Sequence, residues 1–319
     1  MSSIGSADAA DAADAADAAD AADAAGGGVL VGISSGAKRP IGLSPELNPI
    51  SSSPTSTWRT AKWPPRNSDN WGMAATAGEF FPRRAWSPQH LSVAVLSEFV
   101  QQSVTPLGGT PYTWKDIALT TAVPIPAGAG LASELAELVR LIPFRSDVMA
   151  EALAQRSAIL RYWSGLLMFN RASHPLTYML GSIAIKVGQF QAMYYKYKSN
   201  RPRASQFSNK LMPPIDPPGH ASYPSGHATE AYLLSGVLSR VMPLHDPVPP
   251  PATVPPTSLE RLAERVARNR EVLGLHYPSD SAAGKFLAAQ TLPLLLQCTT
   301  VDYLVTNAPA EWVNTTAYP

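Results

Sequence analysis

Three short stretches of this chain hold residue types that do chemistry together: Lys196 with Arg201-Pro202, the run Pro224-Ser225-Gly226-His227, and Arg270 followed by His276 and Asp280. They supply two histidines, three cations and a carboxylate. That set suits a phosphate-like oxyanion, because guanidiniums present paired N–H donors to tetrahedral oxyanions and imidazoles exchange protons near neutral pH. Pro-Ser-Gly ahead of His227 adds a helix start, where unpaired backbone N–H groups and the helix dipole favour an anion.

The elements that must position these residues are helical. From Pro88 onward apolar residues recur at helical spacing, and sustained strand alternation is scarce. The periodicity predicts helices over 88–103, 130–142, 146–170, 174–197, 227–242, 258–274 and 279–298. Between Pro243 and Pro256 seven of fourteen residues are proline, which forbids helix and favours an extended loop. The loop runs into Thr257-Ser258-Leu259-Glu260, a capping-box pattern that starts the next helix.

On that helix Leu259, Leu262, Ala263, Val266 and Leu273 make one apolar stripe, and Arg270 falls in the middle of it. A buried guanidinium is costly without an anionic partner, so the pattern calls for a bound anion or a buried carboxylate such as Glu230. His227 stands at the N-terminal end of a second stripe, Ala231, Leu234, Leu238 and Val241. A lone histidine on such a face is ordinarily a satisfied core residue. Its place directly after Pro-Ser-Gly shifts the reading to an anion site.

The remaining composition narrows the function. From Asp8 to Asp23 an aspartate recurs at every third position among alanines, stacking like charges at helical spacing with no cation to offset them. Residues 1–87, rich in Ser, Pro, Gly and Thr, read as a low-complexity, irregular arm, and 88–319 as a single helical domain. With 25 Lys and Arg against 24 Asp and Glu, no global field argues for nucleic acid or an anionic membrane as partner. The single cysteine, Cys298, lies in an apolar run and reads as a small buried hydrophobe. No basic region followed by an apolar core opens the chain, and the most apolar stretch, Leu176 to Tyr195, is interrupted by Lys186, Gln189 and Gln191. A cytoplasmic protein without a transmembrane span is the expectation.

Lys196-Tyr-Lys-Ser-Asn-Arg201-Pro202, Ser222-Tyr-Pro-Ser-Gly-His227 and Arg270-Glu-Val-Leu-Gly-Leu-His276-Tyr-Pro-Ser-Asp280 resemble, in order and spacing, three signature motifs of one superfamily. It unites type 2 phosphatidic acid phosphatases, bacterial class A acid phosphatases and vanadium haloperoxidases. The resemblance covers Leu176 to Leu296 and implies an all-α helical bundle. Two departures stand out. The family's first motif usually places its lysine seven positions before the arginine; this chain has Tyr194 there, with Lys196 five before and Lys198 three before. Asn269 stands where a serine usually precedes the third motif's arginine.

The resemblance implies a role for each matching residue. Arg201, Arg270 and a lysine, Lys196 ahead of Lys198, hold the oxyanion together with the Ser225 hydroxyl and the Gly226 N–H. His276 attacks phosphorus in a phosphatase, or is the apical vanadium ligand in a haloperoxidase. His227 protonates the leaving oxygen and then deprotonates the attacking water, and Asp280 holds the His276 ring. Elementary chemistry is in keeping with this division. A nucleophilic imidazole needs one bare nitrogen and one fixed N–H, which a carboxylate four residues later can provide. Phosphoryl transfer asks for positioning and charge neutralisation above all. No carboxylate cluster or His/Cys spacing points to a divalent metal site.

The motifs are compact, and only a short helical stretch precedes them, closer to the small bacterial phosphatases than to the larger haloperoxidases. His220, seven residues before His227, pulls the other way. Family haloperoxidases carry an aromatic residue or histidine beside the bound anion there; in a phosphatase it is a loop or substrate-contacting histidine. The first expectation is therefore a metal-independent phosphomonoesterase acting through phosphohistidine on a small phosphorylated substrate, with no cofactor. The alternative is a vanadate-dependent haloperoxidase taking halide and peroxide. A non-catalytic phosphate-binding helical module is the second alternative.

Overall fold

The stretch expected to be helical over 174–197 is the longest helix among the described residues. In the computed structural model, which describes residues 86–242 and 257–312, α6 runs over Pro175–Ser199. Proline at its first turn loses no hydrogen bond, and Asn200 ends it in the left-handed conformation at φ 47°. The arm, the Asp-Ala-Ala tail and the proline-rich loop lie outside the described residues.

Among the described residues five α-helices precede α6, with a 3-10 turn at Ile142–Phe144 and a two-residue antiparallel ladder, β1 (Ser103–Val104) with β2 (Tyr112–Thr113). They are α1 (Pro88–Phe99), α2 (Leu119–Ala122), α3 (Ala129–Arg140), α4 (Arg145–Ser157) and α5 (Ile159–Leu166). After α6 come α7 (Ala204–Phe207), α8 (Gly226–Leu238), α9 (Ser258–Val272), α10 (Pro278–Leu296) and α11 (Thr299–Asn307). The fold class is all-α, as the periodicity predicts. Among the described residues no helix is long and apolar enough to cross a membrane.

The hub is α8, which packs against α6, α9 and α10. Leu180, Ile183 and Val187 of α6 meet Leu233, Leu234 and Val237 of α8 and Leu259, Ala263 and Val266 of α9 in one buried cluster. Two glycines allow the close crossings. A Cβ on Gly188 of α6 would stand 3.0 Å from the Glu230 Cα, and one on Gly284 of α10 would stand 2.7 Å from the Ala228 Cβ and 2.8 Å from the Ser225 carbonyl oxygen. These contacts hold the first turn of α8, with Ser225, Gly226 and His227, against α6 and α10.

Local signals explain most helix ends. Thr257 Oγ1 accepts from the Glu260 N–H at 3.2 Å and the Glu260 carboxylate accepts from the Thr257 N–H at 3.0 Å, the reciprocal cap expected at α9. The helix predicted over 146–170 is instead two, broken at Ala158, whose φ of −151° leaves the helical region. The break frees the Arg156 carbonyl, which pairs with His227 Nε2 at 3.2 Å. Periodicity carries no sign of α11, because it continues the apolar run of α10. What starts it is distant: the Glu98 carboxylate accepts from the Thr300 N–H and Oγ1 at 2.9 and 2.5 Å. Cys298 is fully buried.

Candidate active site

Lys196, His220, Gly226, His227, Arg270 and His276 line one cavity of about 380 Å³. Each reaches it from a different place in the fold. Lys196 is on the last turn of α6, Gly226 and His227 on the first turn of α8, and Arg270 on the last turn of α9. His276 follows a bend at Gly274, whose φ of +73° is a conformation glycine adopts without strain. Ile159, Leu160, Ile185, Met193, Ile215 and Leu275 supply an apolar wall.

Asp280 is the buried centre behind this cavity. It opens α10, where its carboxylate accepts from the Tyr277 N–H at 3.1 Å as a helix cap. The same Oδ2 accepts from Ser222 Oγ at 2.5 Å and pairs with His276 Nδ1 at 3.0 Å. Burial raises the Asp280 pKa, but His276, Arg201 and Ser222 outweigh it and hold the carboxyl at about 2. An ionised Asp280 places the ring proton on Nδ1. Nε2 is then the bare nitrogen, and it lies 3.3 Å from Arg203 Nη1.

The two arginines that flank Pro202 have different partners. Neither is among the residues that line the cavity. Arg201 Nη1 donates to Asp280 and Ser279 Oγ, both at 2.7 Å, its Nη2 to Glu134 at 2.8 Å, and its guanidinium lies 3.7 Å from the centre of the Tyr277 ring. Two carboxylates thus consume the charge that the sequence reading assigned to the oxyanion. Arg203 is the arginine beside the histidines, bonding His220 Nδ1 at 3.0 Å as well as His276 Nε2, with the His220 and Leu275 carbonyls fixing its plane. A signal for it was present, since Arg203 lies seven residues after Lys196, the usual separation of the family motif. Pro202 drew the reading to the residue before it.

Lys196 is buried, with Nζ donating to the Ala221 and Ser222 carbonyls at 2.8 and 3.0 Å. Lys198 is exposed and lies over the Tyr194 ring, away from the cavity lining. Ser225 is also outside the lining: fully buried, it caps α8, its Oγ accepting from the Ala228 N–H at 3.3 Å. That cap aims the first N–H groups of α8, including those of Gly226 and His227, outward from the helix end.

Arg270 is 1 % exposed. One bond goes to the Ala152 carbonyl of α4, not to Glu230, and its Nε meets no acceptor. A buried donor left unmatched costs about 1–3 kcal/mol, which an oxyanion in the cavity would recover. Arg156 and Lys186, which the sequence reading did not single out, also line the cavity. With Lys196 and Arg270 they make four basic side chains against the carboxylates of Asp216 and Glu230, so the lining is predominantly basic.

Burial and neighbouring cations shift the basic groups of the cavity in one direction. Burial, then Arg203, lowers the Lys196 pKa well below its ordinary value. Burial, then Arg270, pulls His227 down to about 3; burial, then Lys196, pulls His220 down to about 4. Burial and Arg203 also depress His276. A negative charge placed among them would favour the protonated forms of Lys196 and His227.

No family model matches the chain. Two curated relatives, decaprenylphosphoryl-5-phosphoribose phosphatases of Mycobacterium tuberculosis strains CDC 1551/Oshkosh and ATCC 25618/H37Rv, are each 37% identical to it over 75 residues. The match covers 24% of this chain and 36% of each relative, so it spans about a third of the relatives' length.

Proposed function

We propose that this chain is a phosphoric monoester hydrolase of the type 2 phosphatidic acid phosphatase and haloperoxidase superfamily, working through a phosphohistidine at His276. One observation carries the reading. A ring with its Nδ1 held 3.0 Å from Asp280 lines the same cavity as a second histidine and a buried arginine whose Nε has no acceptor. The partial similarity to a phosphatase supports it.

In this reading the phosphate enters among Lys196, Arg203, Arg270 and the N–H groups at the head of α8. The Nε2 lone pair of His276 attacks phosphorus as the P–O ester bond breaks, and the leaving oxygen takes a proton from His227. His227 Nε2 stays on the Arg156 carbonyl, so Nδ1 carries that proton. The neutral His227 then removes a proton from water, whose oxygen attacks phosphorus; the P–N bond breaks and phosphate leaves with His276 restored. The imidazole of His227 alternates as acid and base, which typically contributes about 10²–10⁴-fold to rate. The apolar wall suits an ester whose alcohol carries an apolar part.

The second reading, a vanadate-dependent haloperoxidase, is favoured by His220, which lines the cavity beside Arg203. The cationic lining and the unmatched Arg270 Nε suit vanadate as they suit phosphate, and His276, Lys196, Arg203 and Arg270 would hold it. Bound vanadate would supply activation of peroxide toward halide. The test is paired: phosphate release from p-nitrophenyl phosphate, and bromination of monochlorodimedone with peroxide, each with and without vanadate. Phosphate release without bromination is expected; bromination alone overturns the first reading, and activity in neither assay leaves a phosphate-binding module.

A further inference from the structure

Arg201 is the motif residue the proposed reaction leaves without a task, yet it is 5 % exposed and fully engaged. It lies between two carboxylates. Glu134, from α3, takes Arg201 Nη2 at 2.8 Å on Oε2 and the Ser279 N–H at 2.7 Å on Oε1, tying that helix to the first turn of α10. Asp280 takes Arg201 Nη1 at 2.7 Å on Oδ1, while its Oδ2 serves His276, Ser222 and Tyr277. The result is a continuous row, half-buried at Glu134 and buried from Arg201 through Asp280 to His276, ending at the cavity.

We infer that Arg201 and Glu134 are positioning residues for the nucleophile: Arg201 keeps Asp280 ionised and oriented so that His276 holds its proton on Nδ1, and Glu134 limits how strongly it does so. Asp280 is fully buried, so an isolated carboxyl there would take up a proton. A protonated Asp280 would no longer require a donor from Nδ1, and the bare nitrogen would not be confined to the cavity side. The other basic groups near Asp280 are Lys196 from α6, which donates to two carbonyls, and Arg203, which donates to two carbonyls and bonds two imidazole nitrogens; neither is hydrogen-bonded to the carboxylate. Tyr223 and Tyr277 are neutral phenols raised by burial to about 12. Arg201 is therefore the cation in direct contact with the carboxylate.

The inference rests on the phosphatase reading for its kinetic arm only. In the full chain, Arg201→Met should move the acidic limb of kcat/KM for p-nitrophenyl phosphate up by about one pH unit or more, the size of effect an adjacent opposite charge exerts. Its kcat should fall while KM changes by less than about threefold, the pattern of a group that does not bind substrate. Arg201→Lys should restore most of the limb. Glu134→Gln removes a negative charge near Asp280 and should leave the limb in place or move it down.

A uniform loss with an unshifted limb overturns the inference, as does an upward shift in Glu134→Gln. A KM rise without a limb shift would make Arg201 a substrate clamp and also overturn it. The independent arm is the ¹⁵N spectrum of the His276 ring in the resting protein. Nδ1–H is expected in the wild type, and loss of that single tautomer in Arg201→Met. This readout needs no activity, so an inactive wild type defeats the phosphatase reading while the spectrum still decides the relay. An unchanged His276 tautomer in a folded Arg201→Met protein overturns the relay whatever the kinetics show.

Discussion

Arg203 Nη1 lies 3.3 Å from His276 Nε2, on the nitrogen that Asp280 leaves bare. In the proposed reaction a cation resting on that lone pair would aim and shield it, and a phosphate bound by Arg270 and Lys196 would give the guanidinium a better partner and uncover the nucleophile.

Arg203→Ala should therefore lower kcat by about 100-fold or more, the range seen when one preorganised donor to a developing oxyanion is lost. Arg203→Lys should recover charge but not the paired N–H geometry, and should stay well below wild type. Steady-state hydrolysis of p-nitrophenyl phosphate checks both, and an Arg203→Ala enzyme within a few-fold of wild type counts against this placement of the oxyanion.

In the proposed reaction the two histidines divide a double displacement, and their variants should differ in kind. With a good leaving group such as p-nitrophenolate, His227→Ala still forms the P–N bond but lacks the base that activates water. It should accumulate an acid-labile, base-stable phosphoenzyme, visible after rapid quench. His276→Ala should form none. Label that appears in His276→Ala places the covalent bond elsewhere.

Three imidazoles held neutral in the fold make stability pH-dependent, with a definite sign. His227 and His220 titrate at about 3 and 4 in the folded protein, and His276 is lowered too, against about 6.5 in an unfolded chain. Between those values the unfolded chain binds more protons, so stability rises with pH across the window and is lost as pH falls from about 6.5. The slope is at most about 1.4 kcal/mol per pH unit for a buried histidine such as His276, and less for the exposed His220. Asp280, lowered to about 2, adds a loss of the same sign below its own unfolded value near 4. Thermal melts from pH 7.5 to 4 should show a steady fall, shallower in His227→Asn; a flat profile would mean the imidazoles are not held neutral.

The crossing of α8 and α10 is tight enough to be tested by one methyl group. Gly284→Ala puts a carbon 2.7 Å from the Ala228 Cβ and 2.8 Å from the Ser225 carbonyl, neither of which is the far end of a flexible side chain. The first turn of α8 must move, at a cost of about 1–3 kcal/mol. Because Gly226 and His227 move with it, catalytic efficiency should fall along with melting temperature. A stable Gly284→Ala protein with full activity would show that the crossing has room to give.

Much of this architecture was legible in the order of residues. The periods of α6, α8, α9 and α10, the Thr257 cap, the awkward Arg270 on an apolar stripe and His227 at a helix start are local facts, encoded within a few turns of chain. Where local signals failed, the deciding partner was far away. Ser157-Ala158 contains no helix breaker, and the chain opens there where the freed Arg156 carbonyl meets His227, 71 residues on.

The choice between Arg201 and Arg203 is the clearest case. Two arginines flank one proline in a segment without periodicity, so nothing local says which way either points. Sequence alone determined that an anion-binding set of histidines and cations stands on a helical frame. Tertiary structure decided which cation faces the nucleophile, because Glu134, distant in the chain, pairs with Arg201 and joins Asp280 in neutralising it behind the site. A buried charge goes to whichever partner the fold brings within reach, and the identity of that partner is a long-range property.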